Sequence, residues 1–244
     1  MKNIAFNMDC MDYMKTLPDN AFDLAVVDPP YGGGFADSGG CKGWLTKYNQ
    51  KSQNVQVERE REREPQYNRF GNPGSRFERY KRECETGKNV AWDVAPKDDY
   101  FNELFRISRN QIIFGGNYFN LPPTRCFLVW RKLTISDSFT MAMVEYAWTS
   151  FKDNAKYFEC APQGTKADPR FHPTQKPVAL YRWIFKNYAK PGYKIIDTHL
   201  GSGSSRIAAW DAGLDFVGTE IDSTYFMQEE ERFKKHTAQL RLDL

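Results

Sequence analysis

From residue 193 onward the chain runs strand, glycine turn, helix, strand, and that order leaves few architectures open. Tyr193-Lys194-Ile195-Ile196 is a short apolar strand that ends at Asp197. Thr198-His199-Leu200-Gly201-Ser202-Gly203-Ser204-Ser205 then opens a helix through about Ala212, which Gly213 ends. Asp215-Phe216-Val217-Gly218-Thr219 is the next strand, stopping at Glu220, and a helix from Ser223 to about Leu240 follows. This is a β-α-β unit, the building block of α/β sheets. The spacing from Asp197 to Glu220 is near the ~20 residues that separate a glycine-rich turn from an acid holding ribose hydroxyls. The third glycine of a dinucleotide fingerprint is replaced by Arg206, so a nucleoside cofactor without a pyrophosphate fits better. Glycine pairs by themselves only permit a tight turn; the acid at this distance favours a nucleoside site.

A second strand ends in a different constellation. Phe22-Asp23-Leu24-Ala25-Val26-Val27 reads as a buried strand that delivers Asp28-Pro29-Pro30-Tyr31, followed by Gly32, Gly33 and Gly34. In open α/β sheets ligands bind at the carboxyl ends of strands. The two prolines fix their own φ and restrict the residue before each, so the Asp28 carboxylate and the neighbouring carbonyls point in set directions. The bland alternative is a Pro-rich turn with Tyr31 as packing.

The remaining elements are consistent with one large α/β domain across all 244 residues. Residues 3–8 form a strand ending near Asp9-Cys10, and 11–17 a helical turn or two stopped by Pro18. The pattern predicts a helix over 97–109 and strands over 111–114, 126–130 and 145–149. An irregular polar stretch over 152–175 follows, then a helix over 178–189 with Pro177 at its start. The five cysteines are scattered with no CxxC pair, which disfavours a zinc cluster or a disulfide framework. There is no signal-peptide stretch and no apolar run long enough to cross a bilayer, so the chain reads as reduced, soluble and cytoplasmic.

Residues 32–90 break the pattern. Apolar periodicity is lost, and Glu58 to Glu64 alternate in sign at every step, as a solvated, mobile insertion would. Beyond it, Arg69, Arg76, Arg79, Lys81 and Arg82 are interleaved with Tyr67, Phe70, Phe77 and Tyr80. Cations mixed with aromatic rings suit phosphate contact and base stacking. The stretch holds twelve Lys or Arg against eight Asp or Glu, a net of +4, while the whole chain is only +3. Any electrostatic preference for DNA is therefore concentrated here.

Taken together, these motifs resemble the DNA amino-methyltransferases, in the permuted class where the target-base motif precedes the cofactor motif. Asp28-Pro29-Pro30-Tyr31 is similar to that family's catalytic tetrapeptide. Asp197 through Gly203 resembles its cofactor turn, with Thr198, His199, Gly201 and Ser202, and Glu220-Ile221 its ribose-binding acid and neighbour. Asp9-Cys10 resembles the contact to the cofactor adenine. His172-Pro173-Thr174-Gln175-Lys176-Pro177 resembles the segment along the cofactor's methionine end. Ile113 through Tyr118 also looks like a family strand end.

The resemblance implies a Rossmann-like fold, a mostly parallel sheet with helices on both faces, and S-adenosylmethionine as cofactor. It implies DNA as partner, and the family admits a homodimer and a cognate restriction enzyme, in a prokaryotic or phage-infected cell. Asp28, Pro29, Pro30 and Tyr31 would be catalytic, and Thr174, Gln175 and Lys176 would line the cofactor. The family's turn usually reads Asp-Pro-Phe, whereas here it is Asp197-Thr198-His199, and His199 is read as a hydrogen-bonded histidine without a catalytic role. The segment 150–171 is short for a target-recognition domain, which leaves 32–90 as the candidate reader of sequence. Asp at the first catalytic position favours adenine N6, with cytosine N4 the near alternative. A protein-glutamine methyltransferase would begin its motif with Asn, and an inactive DNA-binding remnant would not need both motifs intact.

Overall fold

In a computed structural model of the chain, the described residues are 2–32, 94–136, 142–162 and 168–238. The chain divides into two compact units, Met1–Pro29 with Pro96–Leu244, and Pro30–Ala95. Of the second unit, residues 30–32 and 94–95 are described. There, Gly32 has φ +62°, and a Cβ on it would lie 2.7 Å from that of Ala95, so the two ends of the unit touch. The expected insertion over 32–90 falls otherwise outside the described residues.

Among the described residues the first unit holds eight strands: β1 (Asn3–Asn7), β2 (Phe22–Val27), β3 (Ser108–Phe114), β4 (Phe127–Lys132), β5 (Val144–Thr149), β6 (Lys156–Cys160), β7 (Lys194–Asp197) and β8 (Asp215–Glu220). They form one sheet in the order β1-β8-β7-β2-β3-β5-β4-β6. The run from β1 to β3 is parallel throughout; β5 pairs antiparallel with β3 and β4, and β6 lies parallel to β4. The sheet is thus mostly parallel, as expected.

Helices cover both faces, which is why the central strands are nearly continuous apolar runs. Side chains alternate across β2: Leu24 and Val26 join one core, Ala25 and Val27 the other. The first core is closed by α3 (Val178–Tyr188), which buries Leu180, Tyr181, Ile184, Phe185 and Tyr188, and by Ala208 and Ala209 of α4 (Ser204–Asp211). The second is closed by Met14 of α1 (Cys10–Met14) and by α2 (Asp98–Ile107), which buries Tyr100, Phe101, Leu104 and Ile107 on one face. The last helix, α5 (Ser223–Thr237), is capped by Asp222, whose carboxylate accepts the Thr224 and Tyr225 amides.

One expectation needs correction. The stretch 152–175 is not irregular throughout, because Lys156–Cys160 forms β6. Its alternating half-buried and exposed pattern is that of a sheet edge rather than a buried strand. The helix after the glycine turn begins at Ser204, with Thr198 to Gly203 forming the turn itself.

Candidate active site

The site is built where parallel strands end. β7 and β2 are neighbours, with Ile196 opposite Ala25. Neighbouring strands stand ~4.8 Å apart, so Asp197 at the tip of β7 and Asp28 just past the tip of β2 share one edge of the sheet. From β7 the chain crosses through α4 to β8 on one side, and α2 leads to β3 on the other side of β2. Between β7 and β2 the winding reverses, which is where open α/β sheets leave a crevice. The register continues outward: Asp197 pairs with Gly218 on β8, and Glu220 with Asn7 on β1, two residues before Asp9.

The glycine turn is tied down from several sides. Asp197 is buried, accepts the Ser205 hydroxyl at 2.5 Å and the His199 amide at 3.1 Å, and burial pushes its carboxyl up to about 7. Glu220 accepts the Gly201 amide at 2.8 Å and the Asp222 amide at 2.9 Å. Burial raises the Glu220 carboxyl above its ordinary range, and those two amides oppose the rise. Gly203 has φ +71°, and a Cβ there would lie 2.4 Å from Cγ of Glu229, so only glycine passes under α5 at this point.

Arg206, in place of a third glycine, is accommodated by α5 and β1. Both Glu229 oxygens accept from it at 3.0 Å, its Nε donates to Asn3 at 2.7 Å, and it stacks over Phe233 at 4.0 Å. Arg232 of α5 donates to the Ser202 carbonyl at 2.6 Å and makes a two-pronged contact with Asp168 at 2.7 and 2.6 Å. Ser202 itself is buried.

His199 lies in a polar knot. Its Nδ1 is 3.0 Å from the Thr198 hydroxyl and 3.4 Å from that of Tyr100, and the two hydroxyls are 2.6 Å apart. Burial drops its imidazole to about 4, so the ring is neutral at physiological pH. Asp9 caps α1, accepting the Met11 amide at 2.7 Å, and burial with the Asp9 charge pushes the Cys10 thiol up to about 12. Ile221, beside Glu220, is 67% exposed, an unusual place for a branched apolar side chain.

The His172–Pro177 segment reaches both halves of the crevice. The His172 ring lies against Gly201 and edge-on to Tyr225 at 4.3 Å. Thr174 is exposed, while Gln175 is buried and accepts the Phe171 amide at 3.1 Å. Lys176 is buried and turns the other way, where its ammonium donates to Oδ2 of Asp28. It also lies 3.1 Å from Oε2 of Glu145, a charge contact without hydrogen-bond alignment, and 4.6 Å over the Phe114 ring. Lys132 meets the other Glu145 oxygen at 2.6 Å. Burial lowers the Lys176 ammonium, but the Asp28 and Glu145 carboxylates outweigh it and hold it above its usual range. Burial raises Glu145, and Lys176 and Lys132 outweigh that in turn, leaving it below the usual carboxylate range.

The fold therefore brings Asp9, Asp28, Lys176, Asp197, Gly201, Gly203 and Glu220 to one edge of the sheet. Pro30 and Tyr31 open the second unit. Arg69, Arg76, Arg79, Lys81 and Arg82 lie outside the described residues. Glu145, Lys132, Tyr100 and Arg232 join this network without belonging to any of the motifs. A charged residue within an apolar strand was the available signal for Glu145 and Lys132; Tyr100 is indistinguishable from core at its helical spacing.

A family model described as DNA methylase, for N6 and N4 methyltransferases, matches residues 42–231, which takes in the glycine turn and the His172–Pro177 segment and begins after Asp28. A putative methylase of Escherichia coli K12, YubD, is 22% identical over 92% of this chain and 87% of its own length. The type II methyltransferase M.HinfI of Haemophilus influenzae is 24% identical over 96% of this chain and 68% of its own. Among solved structures, the cytosine-N4-specific PvuII DNA methyltransferase superposes with a TM-score of 0.56 at 10% identity, covering 100% of this chain and 88% of that one. TTHA0409 of Thermus thermophilus, a putative DNA modification methylase complexed with S-adenosyl-L-methionine, gives 0.52 at 14% identity over 98% of both chains. At these identities the superpositions speak for the fold.

Proposed function

Because this chain belongs to the DNA methylase family, we propose that it moves a methyl group from S-adenosylmethionine to the exocyclic N6 of an adenine extruded from DNA. The observation that carries the reading is the pairing of β2 with β7, which brings Asp28 and the Asp197–Gly203 turn to the ends of adjacent strands. A donor held by one strand tip and an acceptor held by the next would need that adjacency.

The residues present fit such a cofactor. Glu220 keeps acceptor capacity beyond its amide partners, and exposed Ile221 offers an apolar face beside it. Glu220 would take the ribose hydroxyls, and Asp9, Cys10 and Ile221 the adenine. Asp197, Thr198, His199, Gly201, Ser202 and Gly203, with Thr174 and Gln175, would surround the methionine end. Lys176, engaged with Asp28, would serve both sides. The bound cofactor supplies a methyl already activated on a sulfonium.

This chain's own task is to prepare the amine. Its lone pair is delocalised into the ring, so both hydrogens need acceptors that draw the nitrogen out of that conjugation. Asp28 and the Pro29 carbonyl serve as those acceptors, with Asp28 taking the proton the amine sheds and Tyr31 stacking on the target ring. A base inside a duplex is out of reach, so extrusion precedes transfer. A positioned carboxylate contributes ~10²–10⁴-fold, and alignment of the reactants more. Asp at position 28 favours adenine N6 over cytosine N4.

Mass spectrometry of nucleosides from DNA treated with the protein tests the assignment. N6-methyladenine is expected, and N4-methylcytosine as sole product would overturn it. Asp28→Ala should cut turnover at least ~100-fold while calorimetry shows cofactor affinity little changed.

A further inference from the structure

Four charged side chains from four parts of the first unit alternate in sign behind the proposed acceptor. Asp28 follows β2, Lys176 precedes α3, Glu145 lies on β5 and Lys132 ends β4. Lys176 and Lys132 are almost fully buried, at 4% and 7% side-chain exposure, and Glu145 and Asp28 are mostly covered, at 22% and 14%. Burying this many ions is unfavourable unless each is paired. Among the described residues, Lys176 meets both Asp28 and Glu145, and Glu145 meets both lysines. If Lys176 faced Asp28 alone, it would form a closed pair and occupy the lone pairs that an amine hydrogen needs. A second anion 3.1 Å from the ammonium divides its attraction.

We propose that Glu145 is a positioning residue, which holds Lys176 between two carboxylates and so limits how tightly its ammonium closes on Asp28, with Lys132 setting how strongly Glu145 pulls. The inference rests on the reading of Asp28 as the acceptor of the amine hydrogens. Other groups also bear on the pair. Asp197 of β7 and Tyr100 of α2 feel the Asp28 charge, Lys176 faces Tyr181 and the Phe114 ring, and Lys132 lies 5.4 Å from the Trp130 ring. None of these changes in the variants below.

The two partners predict opposite effects. Glu145→Gln removes an anion near Asp28 and lets Lys176 close on it. The carboxylate then stays ionised to lower pH but is a poorer acceptor. The acid limb of the kcat profile should move down by about one pH unit, and kcat should fall about tenfold. Lys132→Met frees Glu145 to draw Lys176 toward itself, and the acid limb should move up.

Both are measured with tritiated S-adenosylmethionine and DNA from a methylation-deficient host, alongside cofactor affinity by calorimetry, which should stay within about twofold. Opposite movements support the inference. An unmoved limb in both variants, or movement in the same direction, overturns it and leaves Glu145 as packing. If Glu145→Gln does not fold, Lys132→Met decides alone, and a limb that fails to move up overturns the inference. Asp28→Asn separates the two layers: near wild-type turnover there sinks the reading of Asp28 itself, whereas an inactive Asp28→Asn with unmoved limbs sinks only the role of Glu145.

Discussion

Glu220 and His199 show how differently two polar side chains can be used at neighbouring strand tips. Glu220 commits part of its carboxylate to the Gly201 and Asp222 amides, which makes it a strut for the turn as well as the proposed acceptor of the ribose hydroxyls. Glu220→Gln keeps the shape and one carbonyl oxygen but loses the charge, so S-adenosylmethionine affinity measured by calorimetry should fall about 10–100-fold. His199 is uncharged near neutrality and hydrogen-bonded to Thr198 and Tyr100, so it joins its neighbours without carrying charge. An acid at the end of an apolar strand is visible in a sequence, because the strand's period and the break after it are local. The link from Lys176 to Glu145 is not, since it joins residues on separate elements that only the sheet order brings together.

The elements around the turn depend on α5. Gly203 passes under Glu229, and Glu229 holds Arg206, so one helix position serves as both ceiling and counter-ion. Gly203→Ala must distort a left-handed backbone and displace Glu229 at once. It should lower stability by at least about 2 kcal/mol, read as a lower melting temperature, and weaken cofactor binding with it. The central strands were legible because their apolar runs are unbroken. Lys156–Cys160 was not, because half-buried Lys156, Phe158 and Cys160 alternate with exposed Tyr157 and Glu159 at an edge, and such a mixed pattern also describes a loop. Arg206 was legible only as a departure from the glycine pattern, since its compensation comes from other elements, Glu229 on α5 and Asn3 on β1.

Across the molecule, burial of acids near the turn couples stability to pH. Asp197 and Glu229 both titrate near 7 in the folded protein, above their unfolded values of 3.8 and 4.5. Each therefore favours the fold fully below about pH 4, and that contribution is lost as pH rises to about 7. Asp197→Asn removes one of the two. Without cofactor, the variant's stability relative to wild type should grow from near zero at pH 4 to on the order of 1–4 kcal/mol at pH 8, measured by denaturant unfolding. Cofactor affinity should drop in the same protein, so that binding weakens as stability rises.

The contact between Gly32 and Ala95 has a different kind of consequence. Two points of one chain held in contact have already met the closure cost that any segment between them would impose, and that cost grows only slowly with the segment's length. Exchanging the residues between Gly32 and Ala95 for a longer or shorter run should therefore change the melting temperature little, which a series of such variants would measure.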